Sequence, residues 1–258
     1  MNRIVRAAYR RLGIMHVGRR RVRDLIDFIE DRAIAQVIDV GANTGQFGEM
    51  LRRAGYRGKI LSVEPGRAEL EALLRKAKAD GNWQTLNCGL GARAGTAILN
   101  VSKLSVFNSF LELSAVAGLH DERMAVDHTE QIAIRTLDEI AATLSGNILL
   151  KIDTQGYERQ VLEGGRQSLH RMAGILLELP VIHTYEGEWE LHDALRYMAD
   201  LGFVPAQMQP VGFHTLDKVS AVEFDCLFRP RSEIDGPLPG KIEGGVAFVT
   251  FRSHQSAR

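Results

Sequence analysis

The chain has 258 residues, 45% hydrophobic and 25% charged, the composition of an ordinary globular protein with room for one large α/β domain or two small ones. A formal net charge of zero argues against a general nucleic-acid binder, and no run of about 18 apolar residues offers a membrane-spanning helix. Cys88 and Cys226 lie far apart and show neither disulfide nor zinc spacing; the N-terminus lacks the apolar stretch of a secretory signal, so a cytoplasmic protein is expected.

The zero charge hides an asymmetry. Residues 1–23 hold eight arginines (Arg3, Arg6, Arg10, Arg11, Arg19, Arg20, Arg21 and Arg23) and no acid, leaving −8 on the rest. Residues 3–12 and 20–30 read as helices, the second with Val22, Leu25, Ile26 and Ile29 on one face. The basic segment reads first as a solvated helical extension. A second reading is an interfacial helix drawn to anionic lipid, with Ile4, Val5, Tyr9 and Leu12 among the arginines, which would place the protein peripherally at the inner membrane face. Nucleic-acid binding is third, because no aromatic residues interleave the charge.

From residue 36 short apolar runs alternate with helical patterns, as in a parallel sheet with crossover helices. The runs are QVIDV, KILSVE, WQTLNC, NILLKID, GILLELP, FVPAQM and VEFDCLF, the last two forming an apparent hairpin. Helical faces are marked by Val161, Leu162 and Leu169, and by Leu191, Ala194, Leu195 and Met198. GTAILNVS (95–102) reads as an additional strand, 103–130 as an insertion or lid without a period, and VAFVTF as a last short strand. The expected organisation is a basic helical extension (1–35), one α/β domain (36–230) and a turn-rich tail (231–258).

Ligands of open α/β sheets bind at the carboxyl ends of the strands. The first strand runs through Asp39 and Val40 into GANTG, where Gly41 and Gly45 permit a tight turn and close approach of a ligand. The second ends at Glu64, 19 residues after Gly45, placed to accept hydrogen bonds from ribose hydroxyls. A dinucleotide loop needs glycine where this chain has Asn43 and Gln46, and no Lys-Ser/Thr pair of a P-loop follows. S-adenosylmethionine carries no phosphate and fits the loop better; a nicotinamide-dependent oxidoreductase and a silent adenosyl-binding module remain alternatives. At the third strand end Asn87 is a candidate for the adenine edge and Cys88 a small buried hydrophobe.

Taken together, VIDVGANTGQF, ILSVEP, NCGLGARAGTA, IRTLDEI, LLKIDTQGYERQVLEGG and ILLELP resemble the FkbM-type methyltransferases over about residues 36–229. The resemblance implies the class I methyltransferase (Rossmann-like) fold, a mostly parallel seven-stranded sheet flanked by helices. It also implies S-adenosylmethionine held at Asp39, Gly41, Asn43 and Gly45 with Glu64 on the ribose, and methylation of a hydroxyl, often on a sugar or polyketide. A sugar in a glycolipid or secondary metabolite is the expected acceptor; a protein or RNA nitrogen is the alternative. Where many relatives read DVEGAE this chain reads DTQGYE, so no role of a carboxylate at that position carries over to Gln155.

An alcohol attacks a sulfonium methyl once it is held in line and its proton can leave, so a positioned base is sought. Asp153 ends the fourth strand and reads as base, acceptor contact or partner of the cofactor's ammonium, against a plain helix cap. Glu178 ends the fifth, as acceptor contact or structural tie. His183 has the pKa of a general base but sits in a loop. Asn108 and Ser109 in the insertion are candidates for contact with the methionine part or the acceptor, against a simple turn. Lys151 is expected to pair with an acid or line the cleft edge. No His/Asp/Glu set has metal-ligand spacing, and no metal is expected.

Overall fold

The structure, a computed structural model, describes residues 19–115, 122–213 and 219–232. The expected helix at 3–12, most of the tail and the VAFVTF strand lie outside the described residues.

The helical pattern at 20–30 becomes α1 (Arg19–Asp31), which turns Leu25, Phe28 and Ile29 into the core. The seven apolar runs become one sheet of seven strands: β1 (Gln36–Val40), β2 (Lys59–Val63), β3 (Trp83–Leu86), β7 (Ile148–Ile152), β8 (Met172–Pro180), β9 (Phe203–Phe213) and β10 (Ala221–Pro230). Their order is β3-β2-β1-β7-β8-β10-β9, parallel except that β10 runs against both neighbours. Both β1 and β7 are buried along their whole length, which is why they read as unbroken apolar runs with one charge each.

The pleat sorts the strands onto two faces. Val37, Leu149 and Leu227 meet α1, α2 (Gln46–Arg53) and α3 (Arg67–Lys78) on one side. Ile38, Leu150, Ile175 and Phe228 meet α4 (Leu137–Ala141), α5 (Glu158–Glu163) and α6 (Leu191–Asp200) on the other. The sequence pattern carries a longer helix through Leu169, but the chain breaks at Gly164–Gly165. A Cβ on Gly164 would lie 2.1 Å from the Gly91 carbonyl oxygen, so the backbones touch there and the helix stops. Val161, Leu162 and Leu169 still share one core.

A second, three-stranded sheet of order β4-β6-β5 stands beside the first, built from β4 (Gly89–Leu90), β5 (Gly95–Ser102) and β6 (Val126–Arg135). β5 is the additional strand expected from GTAILNVS. β6 corrects the reading of 103–130 as irregular, since 126–130 is strand. The pattern hides it because only Ile132 and Ile134 of β6 face a core and its first half is polar and mostly exposed. Ahead of it, Ser105–Phe107 form a 3-10 turn, and Ser109 pairs with Asn100 of β5, so 103–113 folds back toward the main sheet.

Candidate active site

The turn after β1 is shaped by the protein's own packing. Gly41 has φ +72°, and a Cβ there would fall 1.8 Å from the Asp153 carbonyl oxygen. Gly45 has φ +81° and faces Leu73 and the Trp83 indole, 2.8 and 3.2 Å from a notional Cβ. Both glycines are therefore required before any ligand is considered. Asn43, at φ +48°, is the residue type that tolerates a left-handed turn. Its backbone N–H donates to Glu64 Oε2 at 2.6 Å, and its side chain bonds Ser105 at 3.1 and 3.2 Å, tying the turn to the 3-10 segment.

A cavity of about 370 Å³ opens at the carboxyl ends of β1, β2, β7 and β8, within the range of small-molecule pockets. Glu64 stands in its wall, buried, with Oε1 accepting from the Gly66 N–H at 2.8 Å. Burial lifts its carboxyl to about 7, against the opposing pull of the Gly66 and Asn43 donors. Val63, Pro65, Cys88 and Leu90 form an apolar slot beside it.

Beneath the turn, Lys151 Nζ sits 3.2 Å from Asp39 Oδ1 and 3.1 Å from Asp153 Oδ2. Asp39 and Lys151 face each other across β1 and β7, and Ser62 of β2 continues the row, donating to Asp39 Oδ2 at 3.3 Å and accepting from Trp83 Nε1 at 3.0 Å. Burial drives the Asp39 carboxyl up, with Lys151 opposing. For Lys151 burial works downward, but the two aspartates outweigh it and the ammonium is held charged. Burial likewise pushes Asp153 up, yet Lys151 and Gln155 win and hold it below the ordinary carboxylate value.

Gln155, at φ +54°, bridges the two carboxylates expected in the site. Its Nε2 donates to Asp153 Oδ1 at 3.0 Å and to Glu178 Oε2 at 3.3 Å, while the Tyr185 hydroxyl lies 3.3 Å from its Oε1. The Ser109 hydroxyl donates to the Gln155 carbonyl at 2.7 Å. Glu178 is pushed well above the carboxylate range by burial first, then by Glu223, Asp153 and Asp225. Glu178 and Asp153, shifted in opposite directions, are two carboxyl groups with separate roles.

The cavity thus brings together Gly41, Asn43, Glu64, Asn108, Ser109, Asp153 and Glu178. Four other sequence candidates sit behind or beside its wall. Asp39 is fully buried against Lys151, and Gly45 packs on Trp83. Asn87 turns outward and donates to the Glu64 and Pro65 carbonyls at 2.9 and 3.0 Å, while its neighbour Cys88 faces the cavity. His183 Nε2 lies 3.7 Å from Glu190, away from the cavity. Nor does Asp153 cap the following helix. Glu158 does the tying there, its Oε1 accepting from Thr154 and Gly156 N–H at 2.9 and 3.2 Å.

Four cavity residues carry no strong signal in the sequence: Arg21, Gln207, Gln209 and Asp225. The one trace is Asp225 inside the apolar run VEFDCLF, directly across from Glu178. Among the described residues no group of three or more His, Cys, Asp or Glu is arranged to hold a metal ion.

This is the fold of a class I methyltransferase. The family model for the methyltransferase FkbM domain matches residues 39–205, and the chain belongs to that family. Among solved structures, it is similar to the FkbM methyltransferase of Methylobacillus flagellatus KT, at 17% identity and a TM-score of 0.47 over 76% of this chain and 43% of that one. The chain thus spans less than half the length of that protein. Magnesium protoporphyrin IX methyltransferase of Synechocystis PCC 6803 aligns at 11% identity and a TM-score of 0.46, over 82% of this chain and 78% of that one. Precorrin-6y C5,15-methyltransferase of Geobacter metallireducens GS-15 aligns at 11% and 0.42, over 79% and 85%. No curated protein gave a significant match.

Glu158 sets a pH dependence of stability. Burial raises its carboxyl to about 7, and its Oε2 has no hydrogen-bond partner among the described residues. A carboxyl raised on folding gives stability that is complete below the unfolded value of 4.5 and lost as pH rises through about 7. Thermal melting should therefore fall between about pH 5 and pH 8, and Glu158→Gln should flatten that decline.

Proposed function

We propose that this methyltransferase delivers the methyl group of S-adenosylmethionine to a hydroxyl of a sugar, in a glycolipid or a secondary metabolite. The observation that carries the reading is the meeting, in one cavity, of an adenosine-shaped half around Glu64 with a carboxyl-lined half at Asp153 and Glu178.

The residues present fit the cofactor. Glu64 is locked by two backbone donors, and each of its oxygens keeps a lone pair for a ribose hydroxyl. The slot of Val63, Pro65, Cys88 and Leu90 suits a flat adenine ring. Asn108 Nδ2 is buried without a partner among the described residues, while its Oδ1 accepts from the Ser102 N–H at 2.9 Å. An unsatisfied buried donor costs about 1–3 kcal/mol, a cost that a bound ligand oxygen removes. S-adenosylmethionine, when bound, supplies a methyl group activated by the sulfonium.

The chain's own residues then handle the acceptor. Lys151 keeps Asp153 ionised, so its carboxylate accepts a hydrogen bond from the acceptor hydroxyl and orients the oxygen. Glu178, whose protonated form burial favours, donates to a neighbouring acceptor oxygen. As the acceptor oxygen takes on the methyl group its proton passes to Asp153. A base with so low a pKa is weak, and in-line positioning supplies most of the acceleration. This reading leaves the proton with the carboxylates and His183 outside the reaction. The basic N-terminal segment extends the proposal to peripheral contact with an anionic membrane at the inner face, where a glycolipid acceptor would lie.

Three measurements test this reading. Labelled methyl groups from S-adenosylmethionine, offered to fractionated extracts of the source cell, should appear in lipid or small-molecule pools and survive acid hydrolysis as an O-methyl sugar. Label in protein or RNA would overturn the acceptor class. Asp153→Asn should lower kcat by roughly 10²- to 10⁴-fold with little change in affinity for S-adenosylmethionine. An unchanged kcat removes Asp153 from the chemistry. Replacing the seven N-terminal arginines other than Arg21 with glutamine should abolish sedimentation with anionic vesicles, and undiminished sedimentation rules out the membrane contact.

A further inference from the structure

The family match ends at residue 205 and begins at 39, yet the cavity does not stop at those limits. One of its walls is built from Arg21 and Leu25 of α1 and from Gln207, Gln209, Val211 and Asp225 of β9 and β10. Every one of these residues lies outside the matched span. The cofactor half and this wall are therefore separate pieces of chain that meet at Glu178, in direct register with Asp225.

We propose that Arg21 is a specificity-determining residue for the acceptor, its guanidinium donating to an acceptor oxygen held against the β9–β10 wall. The inference rests on the reading of the cavity as a hydroxyl-methylating site. Arg21 Nη2 donates to the Pro210 carbonyl of β9, which pins the guanidinium to the wall. Its Nη1 is buried and has no partner among the described residues. Five donors on a rigid planar fork make arginine a poor choice for mere packing and a good one for oxygen recognition.

The rest of the wall narrows the acceptor chemistry. Asp225 offers its carboxyl oxygens at the other side; burial and Asp153 raise it to about 6 and Arg21 opposes. Gln209 Nε2 donates to Gln207 Oε1 at 3.4 Å, leaving the Gln209 carbonyl and the Gln207 amide hydrogens to face a ligand. Leu25 and Val211 add apolar contact. Donors, acceptors and an apolar surface side by side suit a neutral ring bearing several hydroxyls, each of which donates and accepts.

The test uses the full chain and the labelled-methyl assay with a dilution series of the extract fraction. Arg21→Gln should raise the amount of extract giving half-maximal labelling about tenfold or more, the loss expected for a hydrogen bond to a charged group. Calorimetric affinity for S-adenosylmethionine and the melting temperature should match wild type. Arg21→Lys, which keeps charge but not the fork, should recover only part of the loss. Arg196→Gln, removing an exposed arginine of α6 away from the cavity, should change nothing. Half-saturation by Arg21→Gln at the wild-type extract concentration overturns the proposal, and so does a joint loss of cofactor affinity and melting temperature, which marks a structural role. If the wild type places its label in protein or RNA, the hydroxyl-acceptor reading itself has failed, and the polyol wall with it.

Discussion

Lys151 is the pivot of this molecule. A lysine in the middle of a fully buried strand is tolerable only if its ammonium meets negative charge, and here it meets Asp39 on one side and Asp153 on the other. The three groups constrain one another. Lys151 opposes the burial that drives the Asp39 carboxyl up, the two aspartates hold Lys151 charged, and Lys151 in turn keeps Asp153 low at the mouth of the cavity. Removing Lys151 would leave two carboxylates with no counter-ion, one of them without solvent. The carboxylate assigned to the acceptor is thus set from behind, by a cation that shares the wall of the cavity.

The sheet's register distributes these groups. Along one row Gln207, Leu227, Leu176, Lys151, Asp39 and Ser62 lie side by side on successive strands, and Trp83 closes the row through its indole N–H. One pleat further on, Gln209, Asp225 and Glu178 form a second row that points at Asp153. The first row carries the buried ion pair and gives the cavity Gln207, Leu227, Leu176 and Lys151; the second lies wholly in its wall. Gln155 joins them at the turn. Because it is an amide, it donates to Asp153 and Glu178 together, where a third carboxylate would meet two others.

Much of the cofactor half was legible in the sequence. Unbroken apolar runs mark strands buried on both faces, and the glycine turn and the acid at the end of β2 follow from local spacing. Yet the reasons for the glycines were not legible: they make room for Asp153, Leu73 and Trp83, residues far away in the chain. Asn87 and Cys88 show the same limit at finer scale. Adjacent residues at a strand end face opposite ways, and the structure turns the cysteine inward and the asparagine out. β6 was hidden by its polar first half, and the break in the helix after Glu163 by a contact with Gly91. The wall of Arg21, Gln207, Gln209 and Asp225 left almost no trace, since what unites it is register between strands and the docking of a helix made nearly two hundred residues earlier.

The hairpin of β9 and β10 departs from regular pairing at three places, between Ala221 and Glu223, Glu223 and Phe224, and Leu227 and Phe228. Such bulges pin the frame in which two strands read each other. A slip of one residue in β9 would turn Gln207 and Gln209 away and present Met208 and Pro210; the same slip in β10 would exchange Asp225 for Phe224 or Cys226. A polar recess would become a greasy one with no side chain altered. The irregularities in that hairpin therefore hold chemical information: they decide which of two alphabets, one polar and one apolar, the protein shows to whatever enters.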